Sequence, residues 1–140
     1  MIFNFDEGVL ELPGAWADST VNVLSRPMLD GTQLAVVLTR VPLKKELDLE
    51  GFVDRNIETQ KQSMRGWEML GRRPAVLGNL PGVELKIKWL HDGKMVFHHA
   101  AYAVYYDKVL VITGSCAVKF AEECESLMNR ILPTLKFRER

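Results

Sequence analysis

The chain has 140 residues with 18 basic and 18 acidic side chains, so its formal net charge is zero. This length suits a single domain over residues 1–140, long enough to bury a sizeable core. The balanced charge provides no global field that would draw the protein to nucleic acid or to an anionic membrane, so neither partner is expected.

The amino terminus and the cysteines indicate a cytoplasmic location. The opening residues lack the basic region, the long apolar run and the small-residue cleavage site of a signal peptide. No run approaches the roughly 20 apolar residues that span a bilayer, so stable membrane insertion is not expected. Cys116 and Cys124 are expected to be free thiols, about two turns apart in one helix and too distant for a disulfide.

The N-terminal third predicts three strands. Residues 3–12 are predicted as a short edge strand, with Trp16 closing the end of the sheet. Residues 20–25 are predicted as a second strand that carries Val21 and Val23 on one face and stops at Arg26-Pro27. The third strand, 33–41, follows the hairpin pair Asp30-Gly31 and has apolar side chains on both faces, including Val37.

A helix is predicted from a cap at Asp48 to about Arg65, because its apolar residues recur at the three-and-four spacing of a helix that lies on a sheet. Asn56 and Gln60 interrupt this stripe. Two interpretations stay open: the flank of the stripe meets water, or Gln60 offers its amide to a bound segment.

Residues 83–115 predict a three-strand antiparallel meander, preceded by an extended segment at 67–70 and a turn at 78–82. Asp92-Gly93 suits a type I′ turn, because both central positions of that turn require positive φ. The resulting register sets Val83 opposite Tyr102 on one apolar face.

A second reversal is predicted at Asp107-Lys108. It would set Ala103 beside Ile112 on the opposite face, near Ala101, so that the last two strands are apolar on both sides. A closing helix is predicted over residues 117–132. The elements together predict an α+β fold, an antiparallel sheet of about five to six strands with two main helices.

Catalytic and metal-binding patterns are absent from the sequence. His98 and His99 alternate along one strand and point to opposite faces, so a regular strand cannot direct both to one metal ion. The acidic clusters near Asp48 and Glu123 lie in first helical turns, where they complement the helix dipole. No enzyme activity, metal or cofactor is expected, although a hydrolase or isomerase using either histidine stays open.

Two helices of this length cannot easily cover both faces of a five- or six-stranded sheet, so an exposed apolar groove is expected. Core packing is the alternative for each of its candidate lining residues, which are Val21, Val23, Val37, Ala101, Ala103 and Ile112.

Several phrases resemble a known family over nearly the whole chain. They are FDEGVLELPGAW, TVNVL, ETQKQ and GVELKIKW followed by HHAAYAVYYDKVLVITGS. Their order is similar to DcrB-like, PsbP-like domains and, more narrowly, to the Eag-type adaptor chaperones of type VI secretion effectors.

The resemblance implies a PsbP-like fold, a homodimer and a concave apolar surface. That surface would hold the N-terminal transmembrane-like segments of a secreted effector in the cytoplasm of the producing cell. Val21 and Val23 match the branched apolar pair of the second strand, and Gln60 or Gln62 matches a client-contacting glutamine. The alternative is a PsbP-like accessory protein or a binder of a small apolar ligand, which would have a closed pocket in the monomer.

Overall fold

The computed structural model describes residues 1–14 and 20–138, so the predicted position of Trp16 lies outside the described residues. Two α-helices, α1 (Leu49–Ser63) and α2 (Ala121–Ile131), accompany eight strands. The strands are β1 (Ile2–Phe5), β2 (Gly8–Glu11), β3 (Asn22–Pro27), β4 (Gln33–Pro42), β5 (Glu68–Leu77), β6 (Leu80–His91), β7 (Lys94–Tyr105) and β8 (Lys108–Ala117).

Six strands form one antiparallel sheet in the order β3-β4-β8-β7-β6-β5, which confirms the predicted α+β fold. The N-terminal segment differs from the prediction. Instead of one edge strand it forms a separate β1–β2 hairpin, in which Ile2 pairs with Glu11 and Phe5 with Gly8. The turn residues Asp6 and Glu7 are polar, which suits a reversal better than a continuing strand.

The first meander turn has the predicted register. Asp92 and Gly93 have φ values of 49° and 77°, as a type I′ turn requires. Val83 accordingly pairs with Tyr102, and Trp89 with Val96.

The second meander turn was predicted one residue too far along the chain. It lies at Tyr106-Asp107, where Tyr106 has a φ of 57°, so Ala103 pairs with Leu110 and Ala101 with Ile112. The pairing therefore shifts by two residues along the strand. Because side chains alternate with a period of two, this shift keeps every side chain on its predicted face.

Both edge strands end later along the chain than the sequence indicated, and β3 also begins later, at Asn22 and not at residue 20. β3 continues through Arg26 to Pro27, and β5 runs without a break past Arg72 to Leu77, with a register irregularity between Met69 and Gly71. Both strands are at edges of the sheet, where a proline leaves no ladder hydrogen bond unmade. This position explains why proline does not terminate either strand.

Helix α1 covers one face of the sheet, which we call the α1 face. Asp48 caps the helix as predicted, and its carboxylate accepts a hydrogen bond from the Gly51 backbone N–H at 2.8 Å. Val53 and Ile57 are buried against apolar side chains of the sheet, among them Leu85. The helix packs mainly on β6 and β7.

Helix α2 covers the opposite face, the α2 face, and is shorter than predicted. It begins at Ala121 after a 3-10 turn, so Cys116 belongs to β8 and not to a helix. Cys116 and Cys124 are buried free thiols of neighbouring elements. The pKa of Cys116 is raised by its hydrogen bond with Cys124 and by burial. The prediction that the two cysteines are too distant for a disulfide assumed that both lie in one helix. That assumption is wrong, because they lie in a strand and a helix.

The close approach of α2 to the sheet depends on Gly114. A Cβ atom at this position would lie 2.9 Å from the Cys124 Sγ and 3.0 Å from the Met128 Sδ, both in the buried core. Gly71 provides a control, because a Cβ there would meet only the Lys86 Cε, at an ordinary 3.6 Å.

Gly114→Ala is therefore expected to lower the free energy of unfolding by about 1–3 kcal/mol through overpacking. Gly71→Ala should change it by less than about 0.5 kcal/mol. Urea unfolding followed by circular dichroism measures both values. Equal stability of the two variants would contradict a tight α2–sheet contact.

Candidate functional site

Part of the α1 face is not covered by α1. We call this surface the open floor, and it is formed by Val21, Val23, Ala35, Val37, Thr39, Thr113 and Ser115. Val21 and Val23 are 52% and 63% exposed, and the other five are partly exposed. The floor therefore combines four aliphatic side chains with three hydroxyl side chains in partial contact with water, and it is carried by β3 with the residue before it, β4 and β8.

The strand register explains the shape of the open floor. Val23 pairs with Val37, Val37 with Thr113, and Thr113 with Ala100, so one row of small and branched side chains crosses four strands. The row becomes buried at Ala100, which is 6% exposed. Small side chains let the backbone of a neighbouring helix approach closely.

A groove lies at each end of the open floor. One, of about 370 Å³, lies between α1 and β4 and includes Phe52 and Val111. The other, of about 310 Å³, lies beyond Trp89 and His98 at the opposite end of β4. Thr39 of the floor lines the first groove and Ser115 lines the second, so both grooves adjoin the floor on the α1 face.

The amides of α1 are engaged with the protein itself. The Asn56 side-chain amide donates to the Tyr102 hydroxyl at 3.1 Å, and the Trp67 indole N–H donates to the Gln60 side-chain oxygen at 2.9 Å. Tyr102 is 1% exposed, and burial raises its pKa. The sequence interpretations of Asn56 and Gln60 did not include a hydrogen bond to an aromatic side chain of the protein itself. The sequence does not indicate which aromatic residues lie next to the helix.

The predicted site residues separate into two groups. Val21, Val23 and Val37 lie together on the open floor, and Gln60 lies on the helix beside it. Gln62 is exposed two positions further, about 200° around the helix from Gln60, and does not share its direction.

Ala101, Ala103 and Ile112 are on the α2 face and belong to the core beneath α2, with exposures of 0%, 0% and 5%. The expectation that they line the same groove as Val21, Val23 and Val37 is therefore corrected. The paired strands determine this separation, because Ile112 faces the same side as its partners Leu38 and Ala101.

A charged cluster lies on the α2 face, and within it Glu84 and His99 are buried. Arg73 pairs with Glu84 at 2.7 Å, and Lys86 pairs with Glu125 of α2 at 2.6 Å. His99 is fully buried with its Nε2 3.6 Å from the Glu84 carboxylate, and neither ring nitrogen has a hydrogen-bond partner. Burial lowers the pKa of His99. The cluster lines none of the five best-formed cavities in residues 1–14 and 20–138.

His98 points to the other face, as predicted. Its Nε2 accepts a hydrogen bond from the Trp89 indole N–H at 3.1 Å, and burial lowers its pKa. Across the described ranges, no three His, Cys, Asp or Glu side chains are grouped closely enough to hold a metal ion. Neither histidine combines an accessible cavity with a carboxylate partner, the arrangement that the hydrolase or isomerase alternative needs.

The fold is PsbP-like. The chain is similar to cyanobacterial PsbP from Synechocystis sp. PCC 6803, with a TM-score of 0.55, 9% identity, and coverage of 89% of this chain and 96% of that one. It is also similar to LpqN of Mycobacterium tuberculosis, a protein involved in cell envelope biogenesis, with a TM-score of 0.57, 12% identity and coverage of 85% and 84%.

A protein of unknown function from Pseudomonas aeruginosa, PA94, described as a putative regulator, matches over 100% of this chain and 98% of its own. The TM-score is 0.81 and the identity 19%. The DcrB family model matches residues 7–134, so the chain belongs to the DcrB family. A search of curated proteins finds no significant match. Within the described residues, no helix has the length and hydropathy to cross a bilayer.

The lowered pKa values of His98 and His99 predict acid sensitivity. The unfolded chain, with histidine pKa near 6.5, binds these protons more readily than the folded chain. The contribution of the two histidines to the free energy of unfolding is therefore fully present above pH 6.5. It decreases as the pH falls below 6.5 toward the lower pKa values of the folded chain. The free energy of unfolding should change by at most about 1.4 kcal/mol per pH unit for each histidine.

Urea unfolding between about pH 5.0 and 7.5, an interval that includes the reference histidine pKa, measures this dependence. His99→Leu should reduce the slope. His91→Gln, at an exposed position, should reduce it less, because His91 contributes only the smaller, coulombic part of the lowered pKa of His98. A wild-type slope in His99→Leu would contradict a neutral buried His99.

Proposed function

We propose that this protein is a non-catalytic adaptor chaperone. It binds the N-terminal transmembrane-like segments of a type VI secretion effector in the cytoplasm and shields them before export. The observation that carries the proposal is the open floor, an apolar surface of the right shape for a helix. Membership of the DcrB family and the PsbP-like fold support a non-catalytic accessory role.

The open floor suits an apolar helix on physical grounds. Burial of apolar surface contributes about 25 cal/mol per Å², for the client helix and for Val21, Val23 and Val37. The small side chains of Ala35 and Ser115 permit close approach. Because Gln60 is already bonded to Trp67, recognition by the floor rests mainly on shape and apolar contact.

The proposed active form is a homodimer, in which two open floors together provide a wider cradle. β3 is an edge strand exposed along its whole length, so a second copy can approach it without displacing any element of the sheet. Light scattering of the purified protein tests this part, with an expected mass of twice 15.9 kDa. A mass of 15.9 kDa at all concentrations would contradict the dimer.

Val23→Asp tests the open floor directly. A carboxylate at this position would be desolvated by a bound helix, so the affinity for the effector should fall by at least about tenfold. Leu24→Asp is a closely matched control, because Leu24 is 64% exposed against 63% for Val23 but faces the α2 side. Co-purification with a co-expressed effector encoded beside this gene measures the effect. Loss with Leu24→Asp but not with Val23→Asp would contradict the proposed floor.

The client segment is tested from the other partner. Deletion of the apolar N-terminal segments of that effector should abolish the complex, whereas deletion of its C-terminal domain should leave it intact. A complex that survives the N-terminal deletion would contradict the chaperone proposal.

A second candidate is an accessory protein that binds a small apolar ligand. The groove of about 370 Å³ between α1 and β4 favours it, because its volume is within the range of about 300–1,000 Å³ for small-molecule sites. This function needs no effector. Loss of binding with Val23→Asp would favour the chaperone, whereas loss of binding with a substitution inside the groove would favour the accessory protein.

A further inference from the structure

The groove between α1 and β4 combines an apolar interior with a cationic rim. Val41, Leu47, Phe52 and Val111 provide apolar side chains, and Phe52 is held by an edge-to-face contact with Tyr102, with ring centroids 6.2 Å apart. Val111 is buried, whereas Leu47 and Phe52 are half-buried and Val41 is exposed, so the groove offers apolar surface that is partly open to solvent.

The rim carries Lys44 and Arg55, which line the same groove from the segment before α1 and from α1 itself. Among the residues that the structure describes, neither cation has a carboxylate within 4.0 Å. Within the described part of the chain, other cations also have no salt bridge, such as Lys45 and Lys94, so what distinguishes Lys44 and Arg55 is that both line one apolar groove. The groove thus has two positive charges that the protein itself does not neutralise.

We infer that this groove binds a single-chain anionic amphiphile, of which a medium-chain fatty acid is the simplest example. Its carboxylate would lie between Lys44 and Arg55, where guanidinium geometry favours bidentate pairing. Its chain would lie on Phe52, Leu47 and Val111. A volume of about 370 Å³ is near the lower limit for small-molecule sites, which favours one acyl chain over the two of a phospholipid.

This site is independent of the chaperone proposal, because its residues differ from the exposed valines of the open floor. The two sites are nevertheless contiguous. Thr39 belongs to the floor and also lines the groove. An amphiphile in the groove and a helix that extends along the floor to Thr39 would therefore compete.

Calorimetric titration with decanoate below its critical micelle concentration tests the inference. Saturable binding with one site per chain is expected, with affinity that falls as salt is added, because the rim charges are exposed. Octanoate should bind more weakly by about fourfold for each CH₂ group removed. Decyltrimethylammonium, with the same tail and opposite charge, should bind much more weakly than decanoate. Equal binding of the two ions would overturn the proposed rim.

Substitutions locate the site. Arg55→Gln and Lys44→Gln should each weaken decanoate binding by about threefold to fivefold, as expected for exposed charge pairs. Arg130→Gln, an exposed charge loss on α2 on the opposite face, should have no effect. Thr59→Trp, at an exposed groove position, should block the groove and abolish binding.

Phosphatidylglycerol vesicles provide a separate test, and binding to vesicles in preference to decanoate would overturn the single-chain assignment.

Because Val23 is outside the groove, Val23→Asp should retain decanoate binding even where it loses the effector. Decanoate binding that disappears with Val23→Asp but survives Thr59→Trp would place the ligand on the open floor and overturn the inference. Absence of decanoate binding would overturn it without affecting the chaperone proposal.

Discussion

The structure depends on the double-sided apolar character of its two central strands. β7 and β8 direct buried side chains to both faces, with Tyr102 and Val109 on one and Ala101 and Ile112 on the other. A strand of this kind needs cover on both sides, and the chain has one long helix for each. Each helix is therefore committed to the centre of the sheet, and neither extends over β3 and the outer part of β4.

Polar contacts fix where each helix sits. On the α1 face, Asn56 bonds to Tyr102 and Gln60 to Trp67, whereas on the α2 face Lys86 pairs with Glu125 of the helix. Partly buried hydrogen bonds of this kind contribute modestly to stability, but each has a definite geometry and so specifies one position of the helix. Because α1 is held in this way over β6 and β7, it leaves the open floor uncovered.

The open floor and the adjoining groove differ in chemistry although they share one face. Val23 and Val37 present aliphatic side chains, which suit a long uncharged segment. The groove adds Lys44 and Arg55, which suit a short chain with an anionic end. This contrast allows an extended client and a small amphiphile to be distinguished by substitutions on the same side of the sheet.

Local chemistry determined much of this protein from the sequence alone. The period-two pattern specified the meander strands, Asp92-Gly93 specified their first turn, and Asp48 specified the start of α1, because each signal acts over a few neighbouring residues. The second turn was misplaced by one residue because Tyr106, not a typical turn residue, adopts positive φ. The side-chain faces were still correct, since the period of two does not change under that shift.

Tertiary structure alone decided which apolar side chains meet water. Val37 and Ile112 look alike in the sequence as branched residues of two-sided strands, yet Val37 lies on the open floor and Ile112 is buried beneath α2. Tertiary structure also decided the hydrogen-bond partner of Gln60. The turn of the chain after the helix brings Trp67 to it. Burial depends on the placement of distant elements, and no local pattern carries that information.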